Sequence, residues 1–137
     1  MARQGGPSNV RLDAIVPKQP GLRLHLRCRK GLESIVADEV REDEGRGGKF
    51  RVVEVRGCFV VVEPKDAFTL AELYQLRCFD TAAFSLAFIR EPGSAEALEV
   101  LAKAIASPLT EKLMLALTQG AARYRLSMVA EGNHDDA

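Results

Sequence analysis

The first strongly patterned segment of the chain alternates apolar and polar residues without a break. Leu22, Leu24, Leu26 and Cys28 fall on one side, and Arg23, His25, Arg27 and Arg29 fall on the other. A period of two is typical of a strand with one buried face. The pattern therefore predicts a first strand that carries a row of cations on its outer face.

The period changes after Gly31 to the spacing of an amphipathic helix. The apolar side consists of Leu32, Ile35, Val36 and Val40, and the opposite side carries Glu33, Asp38, Glu39 and Glu42. This spacing predicts a first helix that runs to about Asp43. The glycines at 45, 47 and 48 favour a turn directly after it.

Two runs rich in β-branched and aromatic residues follow, Phe50–Val55 and Cys58–Val62. Only Arg56 and Gly57 separate them, which predicts an antiparallel hairpin. Further along, the T-x-x-E spacing of a capping box predicts the start of a second helix at residue 69. Its apolar side would be formed by Leu70, Leu73, Tyr74 and Leu76.

The segment Phe79–Ile89 supplies a fourth strand, so the predicted order is β-α-β-β-α-β. This order indicates an α+β fold of the ferredoxin-like type, with two helices on one face of a four-stranded antiparallel sheet. The other face of the sheet is left to solvent or to a partner.

Three regions are predicted along the chain. Residues 1–21 are rich in proline and glycine and are expected to form a flexible tail, and residues 22–92 form the ferredoxin-like domain. Pro92-Gly93 marks a boundary. Residues 93–137 are expected to begin a second α/β unit, with two helices and a strand over 123–130, and then to stop.

Composition indicates a soluble, cytoplasmic protein. The 137 residues are 47% hydrophobic and 28% charged, and no apolar run approaches the length of about 20 residues that a membrane-spanning helix needs. Three widely spaced cysteines form no disulfide framework and no C-x-x-C motif, which fits a reducing cytosol, and each is expected to be a small core residue.

The sequence contains none of the common motifs for nucleotide or zinc chemistry. It has no G-x-G-x-x-G, no G-x-x-x-x-G-K-[ST] and no H-E-x-x-H, and neither histidine has a second histidine or a cysteine at ligand spacing. We therefore predict no metal site, no catalytic residue and no enzymatic activity for this chain.

Charge is distributed unevenly although the net charge is zero. Up to Lys30 the chain has seven basic residues and one acidic residue, and the rest of the chain has twelve basic and eighteen acidic residues. The rows of cations on the predicted strands are Arg23, Arg27, Arg29 and Lys30 on the first and Arg123 and Arg125 on the last. Such rows suit phosphate contacts. The alternative is that they are ordinary solvated strand faces, with or without pairing to neighbouring acids.

Several segments resemble one family in the same order along the chain. Cys28–Val40 (CRKGLESIVADEV) is similar to the opening segment of bacterial THUMP-containing RNA guanine-N2 methyltransferases. The later blocks VRGCFVVVE from Val55, LYQLR from Leu73 and TAAFSLAF from Thr81 resemble the hairpin, helix and fourth strand of that family. The ending ARYRLSMVAEGNHD from Ala122 resembles a THUMP strand and the turn after it.

The resemblance implies an RNA-binding role. In such enzymes a ferredoxin-like domain and a THUMP domain position structured RNA, and a separate Rossmann-like domain binds S-adenosylmethionine. By this resemblance Arg123, Arg125, Asn133 and His134 would lie near the RNA. Phe79-Asp80 departs from the family, which usually carries an arginine shortly before the Thr-Ala pair, so the contact of that arginine is in doubt.

We therefore expect the N-terminal portion of a THUMP-type rRNA or tRNA methyltransferase, or a stand-alone remnant of one, that binds structured RNA. It would be non-catalytic and without a cofactor, because S-adenosylmethionine would bind a domain that this sequence lacks. The alternative is a ferredoxin-like protein-interaction module that forms a homodimer through an exposed sheet edge or face.

Overall fold

The computed structural model describes residues 11–87, residue 93 and residues 95–118, and this part of the chain is α+β with antiparallel sheets and four helices. In chain order the elements are β1 (Ile15–Val16), β2 (Arg23–Arg27), α1 (Glu33–Gly45), β3 (Phe50–Arg56), β4 (Phe59–Pro64), β5 (Phe68–Thr69), α2 (Leu70–Leu73), β6 (Thr81–Ser85), α3 (Ala95–Ile105) and α4 (Pro108–Thr118).

The main sheet has four strands in the order β3-β4-β2-β6, and every neighbouring pair is antiparallel. This arrangement confirms the predicted hairpin, which is β3-β4, and puts the first predicted strand, β2, in the middle of the sheet. The layout is compatible with the predicted ferredoxin-like one. The fourth strand is shorter than predicted, because β6 ends at Ser85.

The core lies between this sheet and α1. Leu24 and Leu26 of β2 are fully buried, as the alternation predicts, and they share one cluster with Val36 and Val40 of α1. The predicted apolar side of the helix is partly wrong, since Ile35 is 51% exposed while Ala37, which the pattern did not include, is buried. The small alanine lets the helix approach the strands closely.

The second helix is much shorter than its apolar spacing predicts. The capping box is confirmed, because the Thr69 hydroxyl accepts a hydrogen bond from the Glu72 backbone N–H at 3.2 Å and the Glu72 carboxylate accepts one from the Thr69 N–H at 2.9 Å. The helix ends after one turn, at Leu73. The next residues turn toward α1, where the backbone N–H groups of Arg77 and Cys78 donate to the Glu39 carboxylate.

Helix α4 covers part of the core that the one-turn helix α2 does not cover. Leu113 and Leu117 are buried in the same cluster as the strand residues, and Phe84 and Leu109 pack against that cluster. Both helices predicted after Pro92-Gly93 are present as α3 and α4. The division into residues 1–21, 22–92 and 93–137 stays a prediction.

Part of the predicted tail contributes to the fold. β1 pairs antiparallel with β5, and Val16 is fully buried in the core. The backbone N–H of Ala71 donates to the Leu12 carbonyl at 2.9 Å, which holds the same segment against α2. A single buried valine among prolines gives neither the alternation of a strand nor the spacing of a helix, so the sequence pattern did not indicate this strand. Within the described ranges, no helix combines the length and apolarity needed to span a membrane.

Candidate nucleic-acid interface

Helix α1 packs on one face of the four-stranded sheet, and we call the opposite face the open face. The pairing of β2 with β4 and β6 places eight residues on it, Arg23, His25, Arg27, Phe59, Val61, Thr81, Ala83 and Ser85, and the pairing of β3 with β4 adds Arg51, Glu54, Arg56 and Glu63. None of the eight belongs to the core cluster between the sheet and the helices. The cationic outer side of β2 that the sequence predicts is therefore the centre of the open face.

Cross-strand pairing brings the cations of β2 next to residues from both neighbouring strands. Arg27 lies opposite Phe59 of β4 and Thr81 of β6. His25 lies opposite Val61 and next to the Phe59 ring, with ring centroids 5.7 Å apart and planes at 68°. The middle of the open face is thus apolar and aromatic, with guanidinium groups along β2.

A cavity of about 490 Å³ lies at one end of the open face. Its lining residues are Gly21, Arg23, His25, Glu54, Arg56, Val61, Ser85, Leu86 and Ala87. Val61, which lines the cavity, is only 3% exposed and lies outside the core cluster. At the edge of the cavity the Arg56 Nε donates to the Glu54 carboxylate at 2.7 Å.

A second cavity, of about 420 Å³, lies at the other end of β2. It is lined by Arg27, Cys28, Arg29, Lys30, Cys58, Asp80 and Thr81. The structure therefore brings together three of the predicted RNA-binding residues, Arg27, Arg29 and Lys30. Three cations and the Asp80 carboxylate line this cavity, and the Glu33 carboxylate is bound to the Cys58 backbone beside it, so the cations still outnumber the carboxylates. The fourth, Arg23, lies about 13 Å away along the strand, from the rise of a strand per residue.

Glu33, at the start of α1, holds the loops around this second cavity. Its carboxylate accepts hydrogen bonds from the backbone N–H of Gly31 at 2.8 Å and of Cys58 at 2.7 Å. Cys58 has a φ of 66°, in the left-handed region that favours glycine, and its carbonyl accepts from the Cys28 N–H at 2.9 Å. These contacts fix the β3-β4 turn against the segment that carries Arg29 and Lys30.

The hydrogen bond from Cys58 and, after it, those from other backbone groups lower the pKa of the Glu33 carboxyl below its ordinary value. Burial raises the pKa of the Cys28 thiol, which disfavours the reactive thiolate. The cysteines are free, and the prediction that all three are core residues is wrong: Cys28 is buried, Cys58 is half-buried and Cys78 is exposed, since it lies in the loop after α2.

The predicted RNA-binding cations on β2 and directly after it differ from most other described cations in that they form no ion pairs with described residues. Seven described basic residues form ion pairs with carboxylates: Arg11, Arg41, Arg46, Lys49, Arg51, Arg56 and Lys65. Within the described part of the chain, Arg23, Arg27, Arg29 and Lys30 form none. Pairing with neighbouring acids therefore does not describe these four residues, and the alternative of ordinary solvated strand faces is left in place.

Burial, and then the positive charge of Arg56, lower the pKa of His25 below its ordinary value. The imidazole is therefore neutral at pH 7, and it contributes to the open face as an aromatic ring. The sequence singled out His25 only as a polar strand residue and did not single out Phe59. Their proximity depends on the register between β2 and β4, which no local pattern encodes.

Four further predicted site residues, Arg123, Arg125, Asn133 and His134, lie outside the described residues. In the described ranges, no group of three or more histidine, cysteine, aspartate and glutamate side chains is placed to hold a metal ion. No protein-family model, curated protein or solved structure matches the chain. The open face and the two cavities are therefore the features of this chain that bear on its function.

Proposed function

We propose that this chain is an RNA-binding module of the kind found in THUMP-containing rRNA and tRNA methyltransferases, and that it holds structured RNA through the cations of β2 and of the segment directly after it. The observation that carries the proposal is the set of four cations, Arg23, Arg27, Arg29 and Lys30, that lie in or beside the two cavities without an ion-pair partner among the described residues.

The position of these cations supports phosphate binding. Arg27 lines the second cavity together with Arg29 and Lys30, so three positive charges converge on one recess. The guanidinium fork matches the oxygens of a phosphate and stays charged at any physiological pH. Arg23, at the other end of the strand, can contact a second phosphate of the same RNA.

The fold supports the same assignment. The order β3-β4-β2-β6, with α1 on one face, is the arrangement expected of a ferredoxin-like domain, and it leaves the cationic strand in the middle of an accessible face. In the enzymes that the sequence resembles, S-adenosylmethionine binds a separate domain. We therefore propose no catalytic residue and no cofactor for this chain.

The proposal predicts a specific change in salt dependence when Arg27 and Arg29 are replaced by alanine. Binding of a labelled tRNA and of a labelled rRNA hairpin should weaken as salt rises, because counterions are released when cations contact phosphates. The double substitution should lower the slope of log K against log salt by roughly 0.7 to 0.9 for each phosphate that is no longer neutralised. Fluorescence anisotropy at several salt concentrations measures this slope.

The matched control is the double substitution Lys103→Ala and Lys112→Ala. Both lysines are exposed on α3 and α4 and form no ion pair with a described residue, so the control removes the same charge from another surface. It should leave the slope nearly unchanged. Equal slopes for the wild type and the Arg27, Arg29 variant would remove these two residues from the interface.

A second candidate function, self-association, is favoured by the surface of α3. Leu98 is 72% exposed, and Leu101 and Ile105 are exposed on the same side of the helix. Such a stripe is typical of a helix that packs on a partner. A mass that rises with concentration in sedimentation equilibrium, falls after Leu98→Glu, and is accompanied by no RNA binding would favour this function.

A further inference from the structure

Two aromatic rings lie side by side on the open face without a role in the core. His25 is on β2 and Phe59 is on β4, the two central strands of the sheet, and their ring centroids are 5.7 Å apart. Both rings are partly exposed, and neither belongs to the cluster that holds the sheet to the helices. The fold therefore presents aromatic surface to the solvent side of its sheet.

Guanidinium groups flank this pair of rings. Arg27 lies directly opposite Phe59, and Arg56 lies opposite Phe59 on its other side, on β3. Arg23 is two positions before His25 on the same strand and therefore on the same face. Arg56 is paired with Glu54, whereas Arg23 and Arg27 form no ion pair with the described residues.

Rings between unpaired cations are the combination that binds single-stranded nucleic acid. Bases stack on aromatic side chains while cations contact the backbone on either side, and a four-stranded sheet with aromatic residues on its central strands can stack two or three bases. A base within an A-form duplex is already stacked on its neighbours and cannot lie on a sheet. The open face thus suits unpaired nucleotides.

We infer that the open face binds an unpaired segment of RNA, with a base stacked on the Phe59 ring beside His25 and neighbouring phosphates on Arg23 and Arg27. This inference rests on the proposed function and names its ligand: a single-stranded loop or end of the RNA. The cavity lined by Val61 and His25 receives an adjacent nucleotide.

The test compares three variants on a labelled single-stranded RNA of about ten nucleotides, a length within the range of such sites. Phe59→Leu keeps apolar bulk but removes the ring. It should weaken binding roughly 5- to 10-fold at fixed salt, at the lower end of the loss expected for one stacked base. The salt slope should stay the same, because no charge is removed.

His25→Leu removes the neighbouring ring and should also weaken binding. The third variant is the control. Tyr74→Leu removes a half-exposed ring that stacks on Phe79, on the helical side of the sheet, and should leave binding unchanged. Circular dichroism of each variant confirms that it folds.

An unchanged affinity of Phe59→Leu for the single strand, or a wild type that binds a duplex of the same sequence more tightly than the single strand, would overturn the inference. Salt-sensitive binding to folded RNA would still support the proposed function in either case. The proposed function itself fails if the wild type binds neither the tRNA nor the hairpin at low salt, whatever its affinity for the single strand.

Discussion

At the scale of single residues, Glu33 joins three segments around the cationic cavity. Its carboxylate accepts hydrogen bonds from the N–H groups of Gly31, in the segment after β2, and of Cys58, in the β3-β4 turn. The backbone of Cys58 is strained, since a residue with a side chain in the left-handed region costs about 1 kcal/mol or more. The hydrogen bonds of this residue to Glu33 and Cys28 offset that cost.

Glu33→Gln should lower the stability of the protein at neutral pH and much less at low pH. An amide has one accepting oxygen, so one of the two backbone N–H groups loses its partner. The folded pKa of Glu33 lies below its ordinary value, so the carboxylate stabilises the fold above that value, and this contribution is lost as the pH falls through the folded pKa. The difference in Tm between the two proteins should shrink from pH 7 to about pH 3.

Glu99→Gln serves as the control for this measurement. Glu99 is exposed on α3 and forms no ion pair within the described residues, so its Tm difference from the wild type should be small at both pH values. A Tm difference for Glu33→Gln that is the same at pH 7 and at low pH would show that the charge of the carboxylate does not stabilise the cavity.

At the scale of elements, the sequence predicted which segments form helices better than it predicted which helix covers the sheet. The apolar spacing from Leu70 to Leu76 predicts two turns, but α2 has one, because the chain turns to give the N–H groups of Arg77 and Cys78 to Glu39. That contact with α1 is tertiary and leaves no periodic signal. Leu76 is buried without being helical, so the pattern was right about the burial of this residue and wrong about the element. It was also wrong about Tyr74, which is 50% exposed because the helix ends before it.

Helix α4 should contribute to stability through one side only. Leu113 is 6% exposed and belongs to the core cluster, whereas Leu115, on the same helix, is 48% exposed. Leu113→Ala should lower the free energy of unfolding by about 2 to 5 kcal/mol, and Leu115→Ala by much less. Urea denaturation of both variants measures this difference, which tests whether the fold requires α4.

A similar small loss for both variants would contradict this packing. The helix would then lie loosely on the sheet, and the domain would end before it, as the boundary predicted at Pro92-Gly93 implies. A large loss for Leu113→Ala alone would make α4 part of the same cooperative unit as β2 and α1.

At the scale of the whole molecule, the prediction from sequence was accurate where a signal is local. The alternation from Leu22 to Cys28 predicted the cationic face of β2, and the short Arg56-Gly57 connection predicted the hairpin. The register between the strands could not be predicted, because pairing of β2 with β4 and β6 joins segments far apart in sequence. The sequence therefore predicted the cations of the candidate site, but it did not predict that the rings of His25 and Phe59 lie beside them.

The position of those cations in the sheet explains why they suit RNA binding. Arg23 and Arg27 lie on the accessible face of a central strand, between partners on both sides, so their backbone is held by two ladders of hydrogen bonds. A rigid strand fixes the spacing of its side chains, which an RNA backbone can match. Cations in a flexible tail would attract RNA equally but would not position it.

The central claim, that RNA binds on the open face of the sheet, is tested most directly by following the backbone amide resonances of the 137-residue chain during titration with single-stranded RNA. We predict that the largest shifts occur at Arg23, His25, Arg27 and Phe59, and that the amides of α1 and α3 change little. Shifts concentrated on α1 or α3, or no shifts at low salt, would contradict the claim.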